Sequence, residues 1–373
     1  MRATVADILA VINALAPGDL AEQWDNCGLQ IGRRDWPVER IHVALDPLPE
    51  VISEACTSKA DLLVTHHPLI FKPLKRVELD TPIGAAVQAC ITNRLAVIGA
   101  HTNLDSARGG TNDELARRIG LQHLRALKPP ERSSRVKLAV YVPVGHEDRC
   151  LEALFQTRAG RIGGYSCCSF RSRGRGTFCP GSQSEPFIGQ TGAVSHVDEL
   201  KIEAVVDRRD LDRTVEQLRQ AHPYETMAYD VYPVARHEET GEGLGRIGVL
   251  PRTLRLDELA QQVKQIDGAG AVKIAGDPAL QVITVAVCTG SGGGLLPVFL
   301  GSTAQVYISG DLHYHDARTI EAFGRGLIDI GHFASEHLIV APLAEKLAQK
   351  LMEQGMDVHV GVSSVERDPF QMA

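Results

Sequence analysis

The chain lacks an excess of basic charge. Its 39 Lys and Arg stand against 46 Asp and Glu, for a net charge of −7 over 373 residues. That balance argues against a general nucleic-acid binder, whose affinity comes from Lys and Arg neutralising phosphates. No apolar run is long enough to span a bilayer, which excludes a membrane partner of the spanning kind. The first stretch, MRATVADILAVINALAP, has no small-residue cleavage signature and carries Asp7. Ala6, Ile8, Leu9, Val11, Ile12 and Leu15 recur there at helical spacing, so it reads as a helix and not as a signal peptide. The eight cysteines include no CxxC pair and no regular spacing, which argues against a Cys-rich zinc site and a disulfide framework. They read as small core residues of a reduced, cytoplasmic protein. The Gly-rich stretch CTGSGGGLL is neither a GxGxxG fingerprint nor a P-loop with its Lys.

What the chain does have is a set of apolar runs that end in histidine. In DLLVTHHPLIF, Leu62 to Val64 form the continuous run of a strand buried on both faces, and Pro68 forbids its continuation as a central strand. His66 and His67 therefore sit at a strand's carboxyl end, where open α/β sheets bind ligands. Successive strand residues point to opposite sides, so the pair serves one site only if the backbone bends, or serves two neighbouring metals. Taken alone the pair reads rather as hydrogen-bonded loop histidines. Two more strand ends change that. The run Leu95 to Ile98 leads into His101 and Asp105, before a helix that Thr111 or Asn112 could cap. Leu327 to Ile330 leads into His332 and Glu336, whose i, i+4 spacing puts them on one helical face. Three strand ends each delivering imidazole or carboxylate point to one metal site.

Between Ile41 and Leu127 the pattern alternates strand and helix, which implies a largely parallel sheet. Asp46, at the end of the first strand, reads as a solvated or capping carboxylate or as a group orienting a ligand. KPPERSS, from Lys128 to Ser134, is a polar break of the kind found between domains. After it come a strand (VKLAVYVPV), a helix (147–157), a strand (KIEAVVD), a helix (211–221) and a closing strand (MAYDVYPV), the order of a ferredoxin-like α+β module. The polar return Ala235 to Gly243 leads back to a resumed β-α pattern. The expected organisation is thus an α/β, three-layer αβα domain in two halves, 1–128 and 241–373, interrupted by an insert at 134–235. Within the insert, Arg171, Arg173 and Arg175 read as a solvated basic hairpin or a phosphate-attracting loop. His222 and Glu225 read as turn residues or as ligands. Further on, CTGSGGGLL offers a phosphate cradle that Ser291 could cap, or tight backbone packing near the metal site. Asp311, His313, His315 and Asp316 sit at another strand end and are expected to line the pocket.

WDNCGLQIG (Trp24 to Gly32), LLVTHHPLIF, AHTNLD and GHFASE together resemble the GTP cyclohydrolase type 2 homologues, also called NGG-one-interacting-factor-three-like proteins. The resemblance covers nearly the whole chain. It implies a dinuclear metal site with five ligands: His67 and Asp105 on one ion, His66 and His332 on the other, and Glu336 bridging. It implies a toroidal homohexamer, a trimer of dimers, and an insert similar to the PII or divalent-cation-tolerance fold. The family name implies opening of the guanine imidazole ring of GTP with loss of formate.

Imidazole and carboxylate without thiolate suit Zn, Mn, Fe, Co or Ni and do not choose among them. Two such ions, about 3.5–4 Å apart, bring the pKa of water toward roughly 7. His101, near Asp105, is the candidate proton shuttle. The expectation is a hydrolase for a nucleotide or related phosphorylated small molecule. The alternative is a non-catalytic metal-binding sensor that uses its insert. A nucleic-acid or transcription-factor partner, suggested by the family's name, is a third reading, and the acidic balance disfavours direct DNA binding.

Overall fold

Strands whose alternate residues feed two different cores set the architecture. A computed structural model of the chain describes residues 2–130, 135–162, 164–234, 241–266 and 269–371. Met1–Pro130 with Glu239–Ala373 forms one compact unit and Glu131–Glu238 a second. The polar junctions expected at 128–134 and 235–243 lie in large part outside the described residues.

The first unit holds two sheets. One runs Gly28–Ile31, Ala96–Gly99, Leu62–Thr65, Arg40–Ala44, His359–Val362 from edge to edge. Only the pairing of Gly28–Ile31 is antiparallel. Ile41, Val43, Leu62, Val64 and Ile98 pack in one core with helices Val5–Leu15 and Val340–Glu353. Ala44, Leu63 and Val97 pack in another with helices Pro49–Thr57 and Pro82–Thr92. Both faces are covered, which is why Leu62–Thr65 and Ala96–Gly99 are buried at every position. The first helix starts at a capping box formed by Thr4 and Asp7.

The other sheet runs Lys273–Ala275, Gly326–Asp329, Val306–Gly310, Gln281–Ser291, Leu244–Arg255, Gln122–Lys128. Its inner strands Gly326–Asp329, Val306–Gly310 and Gln281–Ser291 are parallel. Val285, Val287, Ile308 and Ile328 pack with helices Thr111–Ile119 and Leu256–Val263. Ala286, Tyr307 and Leu327 pack on the opposite face, with Phe299 and Ile320. The single three-layer domain expected from the β-α alternation is therefore two helix-covered sheets. Periodicity reports that a strand is covered on both faces and is silent on which strands pair. The halves also exchange strands: Gln122–Lys128 joins the later sheet and His359–Val362 the earlier one.

Arg246, 1% exposed, fastens this unit internally. Its guanidinium donates to Asp113 and to the carbonyls of Gly243, Gly245 and Ala107. The planar fork of Arg can reach several acceptors at once, which an ammonium could not do in the same geometry.

The second unit is a four-stranded antiparallel sheet in the order Phe170–Phe178, Ser195–Asp207, Arg135–Pro143, Tyr229–Pro233. Val136, Leu138, Val140, Ile202 and Ala204 form its core with Cys150, Leu154 and Leu218 of helices Glu147–Phe155 and Leu211–Ala221. The basic stretch 171–175 is an edge strand.

The second unit enters and leaves between partners in one ladder, since Lys128 pairs with Leu244. It occupies the place of a hairpin turn. Replacing residues 131–240 with Asn-Gly, a favoured two-residue hairpin turn, is therefore expected to leave a chain that unfolds cooperatively. Denaturant unfolding followed by circular dichroism checks this; a non-cooperative transition would refute it.

Candidate metal centre

Three strand ends of the first unit deliver the site. After Leu62–Thr65 the backbone bends: His66 N–H donates to Ala44 O and His67 N–H to Leu45 O. The Thr65 hydroxyl closes the bend by donating to His67 O at 2.7 Å. Both rings then face one site, with centroids 5.0 Å apart. After Ala96–Gly99, His101 opens the one-turn helix Thr102–Ser106, and Asp105 follows one turn later. After Gly326–Asp329, the one-turn helix His332–Glu336 puts both of its end residues on one face.

All six side chains expected at the site converge. Glu336 is at their centre. Its Oε1 lies 3.6 Å from His66 Nε2, and its Oε2 lies 3.0 Å from Nε2 of both His67 and His332. His66 Nε2 is also 3.6 Å from Asp105 Oδ1. Three groups of potential ligand atoms result: His66, Asp105 and Glu336; His67, His332 and Glu336; His66, His67 and His101. The donor groups differ from the family pattern expected for them. His66 stands with Asp105 and His67 with His332, because the bend after Thr65 sends the adjacent rings to opposite sides of Glu336.

Each imidazole spends its Nδ1 elsewhere. His66 Nδ1–H donates to Ala100 O (2.9 Å), His67 to Asp46 (2.7 Å), His101 to Asp25 (2.9 Å) and His332 to Asp311 (2.7 Å). The acceptors are a carbonyl and ionised carboxylates, which cannot donate, so the proton belongs on Nδ1. Every Nε2 lone pair is thereby left for the centre, the arrangement that orients metal-ligating histidines. With the Nε2 atoms unprotonated, buried His66 Nε2 and Glu336 Oε2 are left without a hydrogen-bond partner. Left so, each would carry a desolvation penalty of about 1–3 kcal/mol. A divalent cation would satisfy both, and the donor set of imidazole and carboxylate fits one.

Several residues take roles that the sequence left open or misassigned. Asp46, partly exposed, orients His67 and caps no helix. Thr111 and Asn112 do not cap their helix. The Thr111 hydroxyl and, at 3.4 Å, that of Thr289 donate to Asp105 Oδ1, while Asn112 Nδ2 donates to Asp105 O. In the Gly-rich turn, Gly290 has φ 65°, and a Cβ there would lie 2.0 Å from Glu336 Oε1. Close packing against the site explains that glycine, and Ser291 makes no side-chain cap. Asp311 holds His332, whereas Asp316 caps its own helix through His313 N–H, and His313 and His315 are exposed. His222 spends Nε2 on Tyr141 O and Nδ1 on Tyr224 N–H, and Glu225 accepts from Glu185 N–H. That pair is turn structure, and no metal-competent group among the described residues includes it. Arg171, Arg173 and Arg175 are exposed.

Asp25 escaped the sequence reading. It lies 76 residues from His101 and at no strand end, yet it holds that ring and also accepts from Thr102 N–H (3.0 Å), Thr102 Oγ1 (2.5 Å) and Cys27 Sγ (3.0 Å). Burial works against its charge, but His101 and Thr102 outweigh burial and hold it far below the usual carboxylate range. Glu366 is a second omission. Its buried carboxylate accepts from the backbone N–H groups of Leu45 and Asp46 and so steadies the segment that aims His67.

Without an ion the cluster holds protons. Burial opposes charge on His67, but Asp46 and Glu336 beside it raise it to about 10. His332 is raised to about 9 by Glu336, against burial, with Asp311 adding to the effect. Burial likewise opposes charge on Glu336, yet His66, His332 and His67 keep it well below its ordinary value. Both histidines titrate above their ordinary 6.5. Their stabilisation of the metal-free fold is therefore complete below about pH 6.5 and lost as pH rises toward 9 and 10. The melting temperature of chelator-treated protein is expected to fall between pH 7 and 10. Metal uptake at pH 7.5 is expected to release protons, measured by titration calorimetry in buffers of different ionisation enthalpy. Asp46→Ala is expected to weaken metal binding by about 10–100-fold with the fold intact, as read from competition with a chromophoric chelator.

Residues 3–369 match the family Duf34/NIF3 (NGG1p interacting factor 3). The chain is 39% identical to the GTP cyclohydrolase 1 type 2 homolog of Halalkalibacterium halodurans and 36% identical to that of Bacillus subtilis, in each case over 97% of both chains. Among solved structures it is similar to a Bacillus cereus protein related to NIF3, with 35% identity, full coverage of both chains and a TM-score of 0.81. A Staphylococcus aureus protein is similar at 28% identity, covering 100% of this chain and 99% of that one, with a TM-score of 0.82. The matched span takes in all three strand ends that build the site, and the chain belongs to the Duf34/NIF3 family.

Proposed function

We propose that the chain is a metal-dependent hydrolase for a nucleotide or related phosphorylated small molecule. The observation that carries the reading is the sharing of one buried carboxylate, Glu336, between His66 with Asp105 on one side and His67 with His332 on the other. That arrangement supports two divalent ions with Glu336 between them. The ions would supply Lewis acidity and make water nucleophilic near neutral pH.

The chain's own residues do the rest. Asp46 and Asp311 fix the rings of His67 and His332, and Thr111 and Thr289 fix Asp105. His101, anchored through Nδ1 to Asp25, keeps Nε2 free to take and return a proton at the edge of the cluster. The relatives' name, GTP cyclohydrolase 1 type 2 homolog, supports GTP as a substrate to test, with water attack at the guanine C8 and loss of formate. A homohexamer, a cytoplasmic setting and a PII-like insert belong to the same proposal. Cys90, Cys150 and Cys288 packed in cores are in keeping with a reduced compartment.

A non-catalytic sensor is the second reading. It is favoured by the insert being a compact unit with its own sheet and core.

Formate and phosphate release from GTP and a nucleotide panel, with protein reconstituted with Mn, Zn, Fe or Co, separates the two. Turnover that disappears in Glu336→Gln is the expected result, and the product distinguishes ring opening from phosphoester cleavage. Metal bound at full occupancy with no turnover on any substrate would favour the sensor.

A further inference from the structure

We propose that Trp24 and Phe71 form a recognition corner for a planar aromatic or heteroaromatic ring on the ligand of the metal centre. The inference rests on the reading of that centre as a small-molecule site.

Both rings are large and apolar, yet Trp24 is 60% exposed and Phe71 45% exposed. They meet edge to face, with centroids 5.8 Å apart and planes at 64°. Each also meets His101 edge to face, at 6.1 Å for Trp24 and 6.2 Å for Phe71. His101 in turn lies 5.2 Å from His66 and 5.5 Å from His67. The aromatic corner is thus continuous with the metal-competent imidazoles.

The corner is held rigidly by a polar network beneath it. Asn26 Nδ2 donates to Ile70 O at 2.5 Å, Ile70 N–H to Gln30 Oε1 at 2.9 Å, and Gln30 Nε2 to Asn26 O at 2.7 Å. The first two bonds stitch the segment that carries Trp24 to the one that carries Phe71, and the third braces the Trp24 segment itself. Asp25, next to Trp24, is fastened to His101 and Thr102. Fixing two exposed aromatics in this way adds little to a core and leaves apolar surface in water. It does prepare a site, because a third ring entering the corner can lie face-on to one ring and edge-on to the other, the two favoured aromatic geometries. Stacking of this sort tolerates any π-face, so the class recognised is a planar ring and not one particular base.

The test uses full-length, metal-loaded protein and titration calorimetry with three probes: adenosine, guanosine and ribose 5-phosphate, which has the sugar and phosphate but no ring. Saturable binding of both nucleosides is expected, with Trp24→Ala and Phe71→Ala each weakening it on the order of ten-fold. Trp24→Phe should recover most of the loss, and ribose 5-phosphate should bind all three variants and the parent alike. Nucleoside affinity unchanged in Trp24→Ala, or no nucleoside binding by the parent, would overturn the proposal. So would a smaller assembly mass in both alanine variants by light scattering, which would assign the pair to an interface between copies. Because these readouts require no turnover, a failure of hydrolysis and a failure of the aromatic corner remain distinct results.

Discussion

Glu336 carries a negative charge where almost no water reaches it, 3% exposed and surrounded by imidazole. An ionised carboxylate in such a place must be compensated by cations or become protonated. The chain supplies His66, His67 and His332 around it, and these keep the carboxyl ionised. Much of the first unit can be read as the scaffold for that arrangement. Two sheets end their strands beside it, two one-turn helices hold candidate ligands against it, and Gly290 lets a backbone segment come close enough to close it off.

Compensation by protonated histidine and compensation by a metal ion make different demands, and the outer hydrogen bonds fit the second better. A site built only to bury an ion pair would point imidazole N–H groups at Glu336. Here Asp25, Asp46, Asp311 and the Ala100 carbonyl each take an Nδ1–H outward, so that once the protons held on Nε2 without an ion are released, lone pairs face the centre. The three outward aspartates each raise ligand basicity and fix a ring, so the geometry of the centre is inherited from groups that never touch it. Glu366 extends this by one more step, since it holds the backbone of Asp46 itself.

How much of this the sequence displayed depends on whether a residue's role is local. Leu62 to Val64 followed by two histidines, and His332 four residues before Glu336, are local patterns, and strand ends and a one-turn helix occur where those patterns placed them. Asp25 and Asp46 each hold their histidine across 76 and 21 residues by one hydrogen bond to the ring. No periodicity marks such a contact, and an acid at a strand end is more often solvated. The grouping of ligands was also out of reach, because it turns on how the chain bends after Thr65. Sheet membership failed for a related reason. Gly28–Ile31 and His359–Val362 are four-residue edge strands with incomplete burial, so their sequences carry little of the apolar signal that identifies an inner strand.

The placement of the second unit follows from the same topology. A long insertion is costly where it separates strands that must find each other across the chain, since closing a larger loop costs entropy. Gln122–Lys128 and Leu244–Arg255 are antiparallel neighbours, and the ladder reaches to the Lys128–Leu244 pair beside the insertion. An insert with its own core can order itself and bring those two ends together, so the ladder sees a hairpin with an elaborate turn. Doubling a loop's length adds only about 0.6 kcal/mol to its closure, a small sum against Arg246, whose guanidinium ties the returning strand to Asp113 and Ala107. The unit that holds the candidate metal centre can therefore accept a whole module at this hairpin while Asp105, two residues before the Arg246 acceptor Ala107, keeps its position through Thr111 and Thr289.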